Sequence, residues 1–173
     1  MKQVVCDSGP LTHLWQIDLW PILKIFTVIH LSTQVTQETR NHVPLERLAE
    51  ITTSKIQIHT VSEIEIDAAR RDLPFAVNLQ EADLSILVLA QRLSQDLVLT
   101  DDLALRLALE KQGQTPMGSV GIVVYAYKSK NIDKRGLERA IDQLFVHSTL
   151  YLSPSFKAYV RRLIIELTKT NEG

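Results

Sequence analysis

Five carboxylates carry the chemistry open to this sequence. Asp7 directly follows a short apolar run, Val4-Val5-Cys6, and Ser8-Gly9-Pro10 then turns the chain. Glu38 lies in Val35-Thr36-Gln37-Glu38-Thr39-Arg40, after the run Phe26-Thr27-Val28-Ile29. Asp83 falls in Glu81-Ala82-Asp83-Leu84, at the head of a strongly apolar stretch, and Asp101 and Asp102 directly follow Leu97-Val98-Leu99-Thr100. In an open parallel sheet, residues just past the carboxyl ends of strands converge on one edge, where ligands bind. Two like charges ~4 Å apart repel by roughly 4 kcal/mol at an effective dielectric of 20. Converging carboxylates therefore call for a counter-cation. Oxygen donors alone favour Mg²⁺ or Mn²⁺ over zinc, and such a cation lowers the pKa of a bound water and stabilises charge on a phosphate.

Each acid also has a plainer reading. Asp7 could be a turn residue, Asp101 an N-cap, Asp83 a complement to a helix dipole and Glu38 a solvated surface group. Their joint placement is what argues for a site. Asp83 heads an almost wholly apolar helix, near buried surface where a lone charge is costly.

Other chemistries find little support. The five histidines, His13, His30, His42, His59 and His147, show no His-x-x-x-His or His-Glu-x-x-His spacing, and each reads as a surface or satisfied core residue. There is no Gly-x-Ser-x-Gly, no Walker loop and no Gly-x-Gly-x-x-Gly. The single cysteine, Cys6, excludes an internal disulfide and any multi-cysteine zinc site, and its strand context reads as a buried structural thiol. A net charge of −1 gives no general electrostatic grip on nucleic acid. Local basic clusters exist: Lys128, Lys130, Lys134, Arg135 and Arg139, then Lys157, Arg161 and Arg162. Solvated helix faces are the plainer account of both. No apolar run is long enough to span a bilayer, and the N-terminus has no signal-peptide pattern. A cytoplasmic protein without membrane contact is expected.

The elements that must position the acids can be read from periodicity. Strands are expected at Val4–Cys6, Phe26–Ile29, Ile56–His59 and Leu97–Thr100, with helical stretches between them. This alternation predicts an α/β fold with a mainly parallel central sheet covered on both faces. The 173 residues suit one domain, 1–173, with a helical extension from about residue 150. Asn78 and Glu81 read as a capping box opening a buried helix to about Ser94, and Ser62 and Glu65 as a second, opening a helix to about Arg71. Asp101 or Asp102 starts another helix, with Leu103, Leu105, Leu107 and Leu109 along it. Ser153-Pro154 opens a last helix whose stripe is Phe156, Tyr159, Val160, Leu163, Ile164 and Leu167. The stretch 120–127 has strand composition but a length that allows a helix.

The ordered acids resemble a known family. Val4-Val5-Cys6-Asp7-Ser8-Gly9-Pro10-Leu11 is similar to the opening strand and turn of PIN-domain proteins. Glu38, Glu81-Ala82-Asp83 and Leu99-Thr100-Asp101-Asp102 follow the order of that family's acidic centre. Met117-Gly118-Ser119-Val120-Gly121 and Tyr151-Leu152-Ser153-Pro154 resemble the late segments of a PIN subgroup of predicted nucleic-acid-binding proteins. The resemblance implies a three-layer α/β/α sandwich, a helix at 120–127, and Mg²⁺- or Mn²⁺-dependent ribonuclease activity on RNA. Many such proteins are toxins of VapC type, often homodimeric and silenced by a small protein antitoxin. Carried over by position, Asp7, Glu38 and Asp83 are the principal acids. Asp102 matches the fourth, with Asp101 an extra acid that could share or replace its metal-binding role. Ser8 and Thr100 could orient a water or ligand. Pro116 departs from the pattern, sitting where a last short strand is expected.

Two other functions compete with a metal-dependent endoribonuclease. A phosphoacceptor domain needs a lysine after a late strand, and none follows Thr100 until Lys111. A non-catalytic PIN-like binding module would keep the fold and use its surface, including the amphipathic last helix, for a partner.

Overall fold

A computed structural model describes residues 2–76 and 78–169. Met1, Val77 and residues 170–173 of the expected 1–173 span lie outside the described residues. Five parallel strands form one sheet in the order β3-β2-β1-β4-β5: β1 Lys2–Cys6, β2 Phe26–Ser32, β3 Lys55–His59, β4 Leu97–Leu99 and β5 Thr115–Met117. The central strands read as unbroken apolar runs because both faces are covered. Val4, Val5, Cys6, Ile29, Leu31, Val98 and Leu99 are all sealed from solvent.

The chain builds outward from β1 in one direction, through α1 (Ser8–Gln16) to β2 and through α2 (Thr33–Thr39) and α3 (Leu48–Thr52) to β3. It then returns through α4 (Glu63–Asp72) and α5 (Glu81–Arg92) to β4 on the far side of β1, and α6 (Leu103–Lys111) leads to β5. Right-handed crossovers running in opposite directions put helices on opposite faces. Accordingly α4, α5 and α6 pack together, while α1 packs on α7 (Ser119–Lys128), α7 on α8 (Lys134–Val146) and α8 on α9 (Pro154–Lys169). The result is the three-layer sandwich. Its strand order reverses between β1 and β4, so the crevice beyond their carboxyl ends is the topological switch point, where ligands bind in such sheets.

Several local expectations are met and some are revised. Ser62 and Glu65 form the capping box of α4, with Ser62 N donating to Glu65 Oε2 at 2.9 Å. The box expected of Asn78 and Glu81 is displaced by two residues. Gln80 adopts the extended N-cap conformation and its N–H donates to Asp83 Oδ2 at 2.9 Å, while Asn78 lies in an exposed turn. Asp83 thus ends the loop and starts α5 with one oxygen. The strand-like stretch at 120–127 is helix α7, burying Val120, Ile122, Val123 and Ala126. Tertiary packing overrides β-propensity there. Pro116 is accommodated because β5 is an edge strand: Thr115 N donates to Asp96 O and Met117 O accepts from Thr100 N, so the intervening Pro116 faces away from β4.

The apolar stripe expected on α9 is divided. Val160 and Ile164 are buried, yet Phe156 and Tyr159 remain 40% and 52% exposed. The last helix meets the body mainly through α8, so only one line of its side chains is covered. Among the described residues, no helix is long and apolar enough to cross a membrane.

Candidate metal centre

The switch point is built on Asp7. Its N–H continues the sheet by donating to Leu99 O at 2.9 Å, so β4 holds its backbone where β1 ends. With φ −83° and ψ 168° it is also the N-cap of α1. Oδ1 accepts from Ser8 N at 2.6 Å and Oδ2 accepts from Thr100 Oγ1 at 2.8 Å. The side chain is only 5% exposed. Burial is the main reason its pKa rises from 3.8 to about 6. Hydrogen bonds from Thr100 and Ser8 oppose the rise, and the charges of Asp83 and Glu38 add to it. Such a shift marks a carboxylate withdrawn from water.

Thr100 links two acids. Besides donating to Asp7, its Oγ1 accepts from Asp102 N at 3.1 Å. Asp102 caps α6 through Leu105 N at 2.8 Å, leaving Oδ2 without a hydrogen bond among the described residues. Asp83 is half-buried, and its pKa is raised chiefly by burial, with Asp102 and Glu38 contributing against the Gln80 hydrogen bond. Glu38 projects from α2, exposed and without a hydrogen bond among the described residues.

Asp101 is placed differently from its neighbour. Oδ2 faces His13 Nδ1 at 2.7 Å and accepts from Ser119 Oγ at 2.5 Å, while Oδ1 accepts from Ser119 N at 2.7 Å. It fastens α1 to the start of α7. A Cβ at Gly118 would lie 2.8 Å from Asp101 Oδ1, so that close approach requires glycine.

All five acids, Asp7, Glu38, Asp83, Asp101 and Asp102, line one cleft of about 390 Å³, and its lining includes neither lysine nor arginine. The donor set therefore fits a hard divalent cation: carboxylate oxygens with unspent lone pairs, pKa values raised at Asp7 and Asp83, and no lysine or arginine in the lining. The fit is one of chemistry rather than finished geometry. Among the described residues, no three His, Cys, Asp or Glu groups stand together as a ready metal cluster. Coordination needs side-chain rotation, for which the unrestrained Glu38 has most freedom. A cleft without lysine also lacks what a phosphoacceptor site requires.

Two features of the cleft were not anticipated from sequence. His13 lines it, on the same α1 face as Gly9 and Gln16, at i, i+4 and i+7. Helical spacing from Gly9 was the available signal. Thr149, Leu150 and Tyr151 also line it, carried there by the segment between α8 and α9, and no local pattern announces this. Cys6 sits beneath as a structural thiol, with its pKa pushed up by burial and then by Asp7 and Asp101.

No curated protein matches the chain. A sequence-family profile described as a PIN domain matches residues 3–166. That span takes in the sheet from Gln3 onward and all five acids, and a PIN domain is a nuclease-type fold. The chain belongs to the PIN-domain family.

Proposed function

We propose that this protein is a divalent-metal-dependent endoribonuclease. The observation that carries the reading is the collection of five carboxylates, without lysine or arginine, in the cleft at the strand-order reversal. Asp7, Glu38, Asp83 and Asp102 would hold Mg²⁺ or Mn²⁺. Such an ion supplies Lewis acidity toward water and toward the phosphodiester. The chain's own residues prepare the place. Ser8 and Thr100 fix the two oxygens of Asp7, and burial limits water around it. Thr100 ties Asp7 to the backbone of Asp102, so the acids of β1 and β4 keep their spacing. Asp101, spent on His13 and Ser119, is a positioning residue rather than a principal ligand.

The test is cleavage of single-stranded RNA with Mn²⁺, with chelator, and by Asp7→Asn and Asp83→Asn. Loss of cleavage under chelation and in both variants is expected; undiminished cleavage in either variant would refute the reading.

The finer assignment is the toxin of a toxin–antitoxin pair, acting in the cytoplasm, silenced by a small protein partner and able to form a homodimer. Exposed apolar side chains at Val146, Phe156, Tyr159 and Ile165 supply surface for such contacts. Growth arrest on expression, relieved by a small protein encoded beside the gene, is the expected outcome. Unimpaired growth would count against it.

One observation favours a second reading, a non-catalytic PIN-like binding module: the acids do not stand as a finished metal cluster. Calorimetric titration with Mn²⁺ separates the two. Binding that vanishes in Asp7→Asn and Asp83→Asn supports the nuclease, and no binding supports the module.

A further inference from the structure

The acidic cleft poses a difficulty for any nucleic-acid ligand. Five carboxylates line it, no lysine or arginine does, and the whole chain carries a net charge of −1. General attraction for a polyanion is not available from such a surface. A cation between carboxylates and phosphate can draw in one phosphate, and beyond it the cleft lining offers a neighbouring nucleotide no lysine or arginine.

The lining supplies one large ring facing solvent. Tyr151 is 87% exposed, whereas the neighbouring Leu150 is buried. The segment beneath it is fastened. Thr149 N and Oγ1 both donate to Gln16 Oε1, at 2.8 and 3.1 Å. Gln16 closes α1, and α1 begins directly after Asp7. Tyr151 is thus tied through one helix to the carboxylate at the centre of the cleft, across a separation of 133 residues between Gln16 and Thr149. A tyrosine has two side-chain torsions, so ordering its ring against a ligand costs little entropy.

We propose that Tyr151 is a stacking platform for an unpaired nucleobase adjoining the phosphate held at the carboxylates. The inference rests on the nuclease reading of the same cleft and adds to it the residue that holds a base beside the metal-bound phosphate. A base within a duplex has both faces covered by its neighbours and cannot stack on the ring without first being unpaired. Stacking operates before and during the chemical step, so it belongs to binding more than to turnover.

The experiment compares the full chain with Tyr151→Ala, Tyr151→Leu and Tyr151→Trp. Binding is read from 2-aminopurine fluorescence in a short single-stranded RNA with Ca²⁺, and cleavage of the same RNA is followed with Mn²⁺. Tyr151→Ala is expected to weaken binding and raise KM about tenfold, lose the fluorescence quench and keep kcat. Tyr151→Trp should retain wild-type affinity, and Tyr151→Leu should remain as weak as alanine. The ring is so exposed that all three variants should melt with the wild type. Wild-type affinity in Tyr151→Ala, leucine rescuing as well as tryptophan, or equal preference for the matching duplex would each overturn the proposal. Ring-dependent binding without cleavage by the wild type would defeat the nuclease reading and leave stacking standing. Cleavage with unchanged KM in Tyr151→Ala would defeat stacking alone.

Discussion

Two polar clusters lie against this sheet, and they are solved in opposite ways. Gln3 of β1, His30 of β2 and His59 of β3 form a chain of hydrogen bonds across three neighbouring strands. His30 Nε2 lies 3.1 Å from Gln3 Oε1, and His30 Nδ1 lies 2.9 Å from His59 Nε2. With Gln3 Oε1 accepting from His30 Nε2, the other ring nitrogen of His30 accepts from His59, and two neutral imidazoles satisfy one another. Burial lowers both pKa values and keeps them neutral. At the carboxyl ends of β1 and β4, burial acts in the same sense on Asp7 and Asp83, raising their pKa values toward neutrality. Here the neighbouring charges are further acids. The two histidines satisfy one another as neutral rings, whereas in the carboxylate cluster only Asp101 faces a basic side chain, His13, and Asp7, Glu38, Asp83 and Asp102 face none among the described residues. Buried polarity alone does not mark a functional site; buried polarity without an internal counterpart does.

The largest effect that would sharpen this contrast is at Asp7. Asp7→Asn should reduce Mn²⁺-dependent cleavage by about 10³-fold, yet raise the stability of the metal-free protein at pH 8 by about 1–2 kcal/mol. A chemical-denaturation midpoint that falls instead would break the comparison, because it would mean the charge is already balanced.

The two clusters should also give opposite slopes with pH. Asp7 has a folded pKa raised from 3.8 to about 6. Its contribution is fully present below pH 4 and is lost as pH rises through about 6, a loss of roughly 3 kcal/mol. His30 and His59 have folded pKa values below the ordinary 6.5. Their contribution is present above pH 6.5 and declines as pH falls through the lowered values. Denaturation at several pH values should show the first slope vanish in Asp7→Asn and the second shrink in His59→Gln. Identical pH profiles for the wild type and both variants would contradict the assignment.

Metal addition tests the same asymmetry. At a Mn²⁺ concentration ~100 times its Kd, the wild type should gain about 2.7 kcal/mol, read as a shift in melting temperature. Asp83→Asn should gain much less. An equal gain in both would place the ion elsewhere.

The smallest effect concerns the contact between Asp101 and the start of α7. Gly118→Ala forces a methyl to 2.8 Å from Asp101 Oδ1. It should cost about 1–3 kcal/mol of stability through overpacking, with a smaller loss of cleavage than Asp7→Asn. Unaltered melting would show that Asp101 does not hold α7 as described.

Much of this architecture was legible from local pattern. Apolar β-branched runs followed by acids located β1 and β4, and Ser62 with Glu65 marked the start of α4. These readings hold because strands, caps and turns are decided by neighbours within a few residues. The stretch now seen as α7 was ambiguous by composition, and Asn78 was read as the cap where Gln80 serves, because propensity differences there are smaller than the packing of the helices that follow.

What the sequence determined by itself is the inventory: five acids, four of them following strands or opening helices, in an order that puts them at one edge of a parallel sheet. What only the tertiary structure decided is how they divide the work. Asp101 and Asp102 are adjacent and chemically identical, yet Asp102 caps its own helix while Asp101 meets His13, 88 residues away, and Ser119, 18 residues away. Tyr151 reaches the cleft through a hydrogen bond spanning 133 residues. Such contacts depend on how separate elements pack, and packing is a property of the whole chain that no local run of residues encodes.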